Sequence, residues 1–418
     1  MTKTYCSLPF SHLYITTDGS VQPCCRFRFT NEEGIDTEWS KSEAPKVAEF
    51  KTLNDVLKDN PRHKIIQDKM LAGEKVEGCR SCYIEEEKTG SSMRTSENEQ
   101  WGDFNKDTIS TKSIEITFGN YCNLACRICC SELSTSWLED EKKLVKDYPF
   151  LPVTERKNAD KDWKTEDFST VKQIKITGGE PLLHPDFTKF LDMLISTDRT
   201  DDINLMIYTN SSTIPKSHLI ERLSKFKNVK LYLSIDGFGK VQEYIRHKSN
   251  WDITEKTYEA WLNAELEYPN IVVCFSPTIS LFNIMYIEEL IDWWIETRMR
   301  IHGEVKPHAV TYNIMNNPRL MSIHDFHKSK ERADELEEYK NSNDFIPNIE
   351  DLINVVIENL RNVDDSSIDN SVRKEFVQYT KDLDMLRKQD VKHSLPKLYE
   401  LYEDLFTKYE GKLDKVLS

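Results

Sequence analysis

Three cysteines near the middle of the chain have a spacing that suits an iron–sulfur cluster. Cys122, Cys126 and Cys129 form a C-x3-C-x2-C array just after a predicted strand. Three thiolates close together on a loop can bind three irons of a [4Fe–4S] cluster, which leaves the fourth iron open to a small molecule. The alternative, a structural zinc site, usually has four protein ligands. The array therefore predicts a cluster with one open position.

A pair of glycines follows this array by one strand–helix unit. The segment 174–181 reads Ile-Lys-Ile-Thr-Gly-Gly-Glu-Pro, so that a predicted strand ends at Gly178, Gly179 and Glu180. Glycines at a strand end allow a ligand to approach the backbone closely, because no Cβ intervenes. The same residues alone would also be typical of an ordinary turn. Their position after the cysteine array favours a ligand site.

In this order, the two motifs resemble those of radical S-adenosylmethionine (SAM) enzymes, and the resemblance covers residues 113–316. The family usually has an aromatic residue before the third cysteine, where this chain has Ile128. The resemblance implies that the three loop cysteines bind a [4Fe–4S] cluster and that SAM chelates its fourth iron. It also implies that the Gly-Gly-Glu turn lines the SAM amino group. SAM would then be cleaved to a 5′-deoxyadenosyl radical that abstracts a substrate hydrogen.

Polar residues at later strand ends are similar to further SAM contacts of the family. Ser234 and Asp236, in Leu-Ser-Ile-Asp-Gly, resemble its ribose-binding positions. Arg246 resembles an arginine that pairs with the SAM carboxylate, and Asn210 is a third polar candidate. Asp-Gly and Asn-Ser are also common in ordinary loops. The resemblance nevertheless implies that these four residues bind the cofactor.

The N-terminal region contains a second group of cysteines. A predicted hairpin around Asp18-Gly19 runs into a Cys-Cys pair, and a helix and a C-x2-C pair with acidic residues follow. A closed zinc site is one interpretation. The pattern also resembles a SPASM or twitch module, which implies an auxiliary [4Fe–4S] cluster, although this module more commonly follows the core. Its expected ligands are Cys6, Cys24, Cys79 and Cys82, with Cys25 as the alternative to Cys24.

The elements around these motifs predict an α/β fold. Apolar, β-branched segments alternate with helical ones, which is typical of a parallel sheet. Six strands in this arrangement suit a partial (β/α)6 TIM-like barrel, with the chemistry at the carboxyl ends of the strands. The predicted strands are 113–118, 171–176, 203–209, 229–235, 270–276 and 305–312, and the helices between them are near 131–147, 186–197, 215–226, 252–266 and 286–300.

Three regions follow from this pattern. Residues 1–100 are predicted to form a small α+β iron–sulfur module with a helix over 53–71, and the polar segment 90–107 is predicted to be a linker. The radical SAM core is expected over 108–320. A helical C-terminal extension is expected over 321–418, with helices near 324–340, 349–362, 371–388 and 395–415.

Composition limits the classes of function. The chain has 418 residues, 38% hydrophobic residues and a formal charge of −15, which argues against a broad nucleic-acid interface. The most apolar long segment, 271–295, is interrupted by charged residues and predicts no membrane span. No secretion signal is visible, so the ten cysteines are expected to bind metal or carry out redox chemistry rather than form disulfides. These features predict a cytoplasmic protein.

Together, these features predict a radical SAM enzyme that uses two clusters and SAM. The resemblance implies a peptide or protein side chain as the leading substrate class, with a small metabolite or carbohydrate as the alternative. Flavodoxin or ferredoxin is the kind of reducing partner that it implies. An alternative from another class is a redox-sensing or binding protein that retains the clusters without turnover.

Overall fold

A computed structural model describes residues 3–31, 34–159, 163, 166–306, 309–363 and 370–413. The chain divides into two compact units. The first consists of Met1–Tyr121, Arg156–Ile207 and Arg222–Val229. The second consists of Cys122–Glu155, Tyr208–Glu221 and Lys230–Ser418. Both units are therefore built from segments that are distant in sequence.

The strands form a mixed α/β fold, as the sequence predicts. They are β1 (His12–Ile15), β2 (Val21–Gln22), β3 (Ser113–Thr117), β4 (Ala125–Cys126), β5 (Gln173–Thr177), β6 (Asn204–Thr209), β7 (Asn228–Leu233), β8 (Arg246–His247), β9 (Ile271–Phe275), β10 (Thr278–Ile279) and β11 (Asn313–Ile314). One seven-stranded sheet has the order β2-β1-β3-β5-β6-β7-β9. Strands β1, β3, β5 and β6 pair in parallel, and β2 pairs antiparallel to β1. The sheet is open, with β2 and β9 at its edges.

The strand predicted over 305–312 is wrong in extent. Only a parallel bridge joins Val310 to Phe275, while β11 begins at Asn313 and pairs with β10. The backbone N–H groups of Phe275 and Thr311 donate to Ala309 and Phe275, respectively. Residues 307 and 308 lie outside the described part of the chain. Apolar, β-branched residues in this segment were therefore a poor guide to the length of the strand.

The sheet of the first unit has one apolar face. Alternate residues of its strands point to opposite faces, because the side-chain period of a strand is two. The apolar members are fully or almost fully buried: Leu13, Ile15, Ile114, Ile116, Ile174, Ile176, Leu205 and Ile207. Helix α7 (Pro185–Ile195) adds buried aromatic and aliphatic side chains to the first unit. Burial of this face supplies much of the free energy that orders the strand ends.

Two predictions for the N-terminal region are wrong in detail. The helix predicted over 53–71 is two helices, α2 (Leu53–Asp59) and α3 (Pro61–Ala72), and Asn60 ends the first and caps the second. Pro61 lacks the N–H that an uninterrupted helix would need there. The predicted linker contains helix α5 (Met93–Trp101), which begins after Ser92. The hydroxyl of Ser92 accepts a hydrogen bond from the N–H of Thr95, as an N-cap does.

Most of the remaining helices overlap predicted ones, whereas those at 8–11, 80–89, 240–245 and 391–394 were not predicted from the sequence. They are α1 (Leu8–Ser11), α4 (Arg80–Thr89), α6 (Leu138–Leu144), α8 (Ser217–Leu223), α9 (Lys240–Ile245), α10 (Trp251–Glu267), α11 (Ile287–His302), α12 (Ser329–Asn341), α13 (Pro347–Arg361), α14 (Asn370–Arg387), α15 (Val391–Ser394), α16 (Pro396–Leu401) and α17 (Glu403–Lys408). The last two replace the single helix predicted over 395–415. Of the helices described, none is long and apolar enough to span a membrane.

Candidate functional site

The cysteine loop of the second unit is fixed by backbone contacts on both of its sides. Strand β4 pairs antiparallel with β8, which places Cys126 opposite Arg246. The indole N–H of Trp137 donates to the carbonyl of Cys126 at 2.7 Å. The hydroxyl of Ser136 donates to the carbonyl of Cys122 at 2.9 Å. The loop is thus held in place by the protein itself.

The three thiols of this loop lie together and away from water. Cys122 and Cys126 are buried, and Cys129 packs against them. Burial raises the pKa of the Cys126 thiol to about 12, although the nearby Arg246 opposes this shift. Burial and the neighbouring thiols, Cys126 foremost, raise the pKa of Cys129 well above its usual value. These thiols would have to release protons to bind iron, because the thiolate is the metal ligand.

Two side chains direct N–H groups at the sulfur atoms. The amide nitrogen of Asn210 lies 3.5 Å from Sγ of Cys122, and it also donates to Asn123 at 3.0 Å. A guanidinium nitrogen of Arg246 lies 3.9 Å from Sγ of Cys126. Hydrogen bonds and positive charge at cluster sulfurs stabilise the negative charge that an iron–sulfur cluster carries. The donor set therefore fits a thiolate-bound cluster.

Asp236 is buried and makes its contacts within the protein. One carboxylate oxygen accepts from Nε of Arg246 at 2.7 Å, and the other accepts from the N–H of Thr278 at 2.8 Å. Gln242 accepts a hydrogen bond from the N–H of Asp236. The carboxylate thus orients Arg246 towards Cys126. Ser234 is half-buried, and its N–H donates to Thr209 at the adjacent strand end. A SAM-binding role for these residues stays a prediction.

A buried arginine connects the cysteine loop to the C-terminal helices. Arg127 is fully buried, forms an ion pair with Asp384 and lies 3.7 Å from the ring centroid of Tyr244. Gln389 accepts a further hydrogen bond from its guanidinium at 3.1 Å. Sequence spacing gave no signal for this contact, because Arg127 and Asp384 are 257 positions apart. The C-terminal helices therefore support the loop directly.

The Gly-Gly-Glu turn belongs to the first unit and packs closely on the segment 117–121. A Cβ on Gly179 would lie 2.0 Å from the carbonyl oxygen of Tyr121. Gly178 has a φ of +118°, which disfavours any other residue. The N–H of Glu180 donates to Tyr121 at 2.7 Å. Neighbouring backbone thus already requires both glycines, whereas their SAM contacts stay a prediction.

Four N-terminal cysteines surround one small cavity in the first unit. Cys6, Cys24, Cys79 and Cys82 line it together with Arg94. Cys6 and Cys82 are buried, and the other two are half-buried. Burial raises the pKa of Cys6 to about 12, with Cys82 contributing, while Arg94 lowers it. The cysteine spacing predicts that these four thiols converge, whereas no motif in the sequence points to Arg94 beside them.

The loop that carries Cys79 is anchored by a buried carboxylate. Glu38 accepts hydrogen bonds from the N–H groups of Glu77 at 2.7 Å and Gly78 at 2.9 Å, and Lys69 donates to it at 3.1 Å. Burial opposes its charge, yet the two backbone donors keep the pKa of Glu38 below its usual value. A Cβ on Gly78 would lie 2.2 Å from the Phe27 ring. Close packing therefore fixes where this loop runs.

Cys25 points to a different place from Cys24. Burial, and then the negative charge of the nearby Glu115, raise the pKa of its thiol to about 11, and Cys25 lines a second cavity outside the group of four. Four thiols around a cavity, with a cation beside them, fit the ligand set of an iron–sulfur cluster. None of the ten cysteines forms a disulfide. Within the described residues, no three His, Cys, Asp or Glu side chains are grouped tightly enough to hold a single metal ion.

Sequence comparison relates the central part of the chain to known proteins. Residues 116–293 match the sequence model of the Radical SAM superfamily. The GTP 3′,8-cyclase of Sulfurimonas denitrificans is 34% identical over 98 residues, which are 23% of this chain and 27% of that protein. The GTP 3′,8-cyclase of Campylobacter curvus is 28% identical over 155 residues, which are 37% of this chain and 44% of that protein. The chain thus spans less than half the length of these curated relatives.

Solved structures with a similar arrangement include two with bound cofactor. Streptococcus suis SuiB bound to S-adenosylmethionine has a TM-score of 0.32 and 15% identity, covering 55% of this chain and 48% of that chain. Native anSMEcpe with bound AdoMet has a TM-score of 0.34 and 15% identity, covering 55% of this chain and 62% of that chain.

Proposed function

We propose that this chain, whose residues 116–293 match the Radical SAM superfamily, is an enzyme that cleaves SAM reductively and abstracts a hydrogen atom from a substrate. The observation that carries the proposal is the group of three thiols, two of them buried, with N–H donors from Asn210 and Arg246. A cluster held by Cys122, Cys126 and Cys129 would supply the electron that converts bound SAM into a 5′-deoxyadenosyl radical. Flavodoxin or ferredoxin is the proposed electron donor.

In this proposal, the residues around the loop act by orientation and by electrostatics. Asp236 holds the guanidinium of Arg246 beside Cys126, and the amide of Asn210 lies at Cys122. Such contacts to ligating sulfurs tune a cluster and fix its position. The Gly-Gly-Glu turn is proposed to bind the SAM amino group, and Ser234 its ribose. Burial of the thiols keeps water from a reactive radical.

We further propose that Cys6, Cys24, Cys79 and Cys82 hold an auxiliary [4Fe–4S] cluster. Their arrangement around one cavity and the proximity of Arg94 support this assignment over one that uses Cys25. A buried cation beside four thiolates offsets the negative charge that they bring. Zinc would be the alternative occupant.

The class of substrate has two candidates. A peptide or protein side chain is the expectation from the SPASM-like order of the N-terminal cysteines. A small metabolite is favoured by a different observation, because the curated relatives are named for a reaction of GTP. Those relatives align with only part of this chain. We therefore propose a small molecule as the substrate class of this chain, and we do not assign the relatives' reaction to it.

One experiment tests the catalytic proposal. The protein would be reconstituted anaerobically with iron and sulfide, and then given SAM and dithionite. We expect 5′-deoxyadenosine to form, as measured by liquid chromatography. Cys126→Ala should abolish it, whereas Cys130→Ala, which removes a neighbouring thiol outside the proposed ligand set, should retain it. An intact cluster spectrum without 5′-deoxyadenosine would instead favour a redox-sensing or binding protein.

A further inference from the structure

The sheet of the first unit has a polar face that the proposed function has not used. Gln22, Tyr14, Glu115 and Lys175 lie side by side in register across β2, β1, β3 and β5. Parallel strands that are buried on both faces usually consist of continuous apolar runs. In β3 and β5, polar residues instead alternate with isoleucines. A row of polar side chains on this face calls for a role other than core packing.

Members of this row contact one another and a cysteine. Lys175 and Glu115 form an ion pair at 3.2 Å, and the Glu115 side chain is only 7% exposed. The thiol of Cys25 lies near the Glu115 carboxylate, and the hydroxyl of Tyr14 lies near Thr117. The polar row thus continues into Cys25.

Tyr14 and Cys25 also line a cavity of about 470 Å³. This volume falls within the range of sites that bind small molecules. Phe27 and Phe29 contribute apolar surface to the cavity, and Arg28 contributes a cationic side chain. The cavity thus combines apolar walls with a few polar groups, as specific small-molecule sites do.

The charges that line this cavity are of one sign. Arg28 and Lys41 are its charged lining residues, and both are cationic in a chain whose formal charge is −15. Arginine and lysine are the residues that most often bind phosphate and carboxylate groups. The cavity therefore suits an anionic ligand better than a cationic one.

We propose that this cavity binds the substrate, and that the substrate is a small molecule with a phosphate or carboxylate group. In this arrangement, the anionic group lies beside Arg28 and Lys41, an apolar or aromatic part lies against Phe29, and the Cys25 thiol is a contact residue. The inference rests on the proposed function, because it assigns a substrate class to that enzyme. Cys24, a proposed ligand of the auxiliary cluster, is the residue next to Cys25 in the chain. Consecutive Cα atoms are about 3.8 Å apart, so this substrate would lie next to that cluster.

Protection of Cys25 from alkylation tests the inference. The reconstituted protein would be treated with N-ethylmaleimide in the presence of GTP, tripolyphosphate or citrate at millimolar concentration, and labelling would be quantified by peptide mass spectrometry. We expect at least one of these anions to slow labelling of Cys25 and none to change labelling of Cys130, which is half-buried and does not line this cavity. If none of the three anions protects Cys25, the inference is wrong.

A pair of matched variants tests the charge argument. Arg28→Gln removes a cation from the cavity, and Lys51→Gln removes one from an exposed position elsewhere in the first unit. The protecting anion should bind Arg28→Gln about tenfold more weakly, as expected for one lost charge-assisted contact. Lys51→Gln should bind it as the wild type does. Equal affinities for the two variants would contradict an anion site at Arg28.

Two further measurements separate this inference from competing explanations. A pentaglutamate peptide that protects Cys25 at a lower concentration than any of the three small anions would overturn the small-molecule class. Formation of 5′-deoxyadenosine, measured without substrate, reports on the proposed function alone. If 5′-deoxyadenosine forms while no anion protects Cys25, the enzyme proposal stands and the substrate site fails. If an anion protects Cys25 while no 5′-deoxyadenosine forms, the anion site at Cys25 stands and the enzyme proposal fails.

Discussion

At the scale of single residues, adjacent cysteines have different surroundings. Cys24 lines the cavity shared with Cys6, Cys79 and Cys82, whereas Cys25 meets Glu115. Sequence alone left these two thiols as alternatives, because a Cys-Cys pair does not reveal which side chain faces which way. The structure separates them in the turn that follows β2, where the two thiols have different neighbours. The two residues should therefore respond differently to the same substitution.

Iron content distinguishes the two cysteines. We expect Cys24→Ser to lower the iron content from about eight to about four atoms per chain, because one cubane would lose a ligand. Cys25→Ser, the matched control, should retain about eight. Iron assay and electron paramagnetic resonance after reconstitution would measure both. A loss of iron in Cys25→Ser but not in Cys24→Ser would reverse the assignment.

A buried histidine gives the first unit an acid-sensitive stability. His63 is fully buried against Trp39, and burial lowers its pKa to about 3. The unfolded chain protonates this histidine below about pH 6.5, whereas the folded protein does not. Stability is therefore present above that pH and is lost as the pH falls towards 3. One such group contributes a slope of about 1.4 kcal/mol per pH unit over this range.

His63→Leu tests this dependence. It removes the titrating ring and leaves an apolar side chain in an apolar site, so we expect a shallower fall in the free energy of unfolding between about pH 6 and pH 4. Urea unfolding of the apo protein at several pH values would measure the slope. His218→Leu, at an exposed position of α8, should keep the slope of the wild type. Equal slopes for all three proteins would show that His63 does not contribute.

At the scale of elements, the Gly-Gly-Glu turn depends on close backbone packing. Gly179→Ala would place a methyl group against the carbonyl of Tyr121, and neither backbone segment has a flexible end that could move aside. We expect it to cost about 1–3 kcal/mol of stability and to weaken SAM binding. Gly90→Ala adds the same methyl group at a left-handed position in open space, and should cost about 1–2 kcal/mol without affecting SAM. Calorimetry would measure the loss of stability in each variant. SAM titration would measure whether the variant also binds SAM more weakly.

The attachment of helix α14 to the cysteine loop also makes a prediction. Asp384 accepts from Arg127, from the hydroxyl of Tyr244 at 2.8 Å and from the N–H of Val391 at 2.8 Å. Asp384→Ala would leave the fully buried Arg127 without its counter-ion, which should cost about 3–5 kcal/mol of stability. Asp404→Ala, at an exposed position of α17, should change stability by no more than about 0.5 kcal/mol. Denaturant unfolding would compare them, and similar losses would contradict the role of this ion pair.

Elements differ in how well the sequence predicts them. Strands with dense β-branched residues, such as β3 and β5, were located to within two residues. The sequence predicts a linker where helix α5 lies, because this polar segment has no apolar stripe. The helix is stabilised instead by a cap at Ser92 and by contacts of Arg94 with Glu86 and Tyr5. Those partners are visible only in three dimensions. The same applies to Arg127, whose partner lies on a helix far along the chain.

At the scale of the whole molecule, the sequence indicates local motifs more directly than pairing between distant segments. Metal-ligand spacing is local, so the array of Cys122, Cys126 and Cys129 is visible in the sequence, and its ligand role stays a prediction. The first compact unit, in contrast, combines three separate segments. Strand β1, which the sequence assigned to a separate N-terminal module, pairs in parallel with β3 of the predicted core. Long-range pairing of this kind leaves no periodic signal in a single sequence.

The two groups of cysteines should bind iron independently. Changing Cys122, Cys126 and Cys129 together to Ala should leave about half of the iron, that is about four atoms per chain. The thiols of each group lie within a single compact unit, so neither group needs the ligands of the other. Iron and zinc assays on the same sample would measure this. Stoichiometric zinc in the triple variant would identify the N-terminal site as a zinc site instead.

The adjacency of Cys24 and Cys25 limits how this segment can evolve. Cys24 and Cys25 lie in the turn just after β2, so insertion or deletion of one residue between β2 and Cys24 would move both side chains away from their present neighbours. Such a change would remove Cys24 from the group of four thiols and, at the same time, Cys25 from its position beside Glu115. Point substitutions could be tolerated one site at a time, but a change of length could not. Homologues that retain both sites should therefore keep the spacing from Val21 to Cys25 constant, even where the loops around it vary in length.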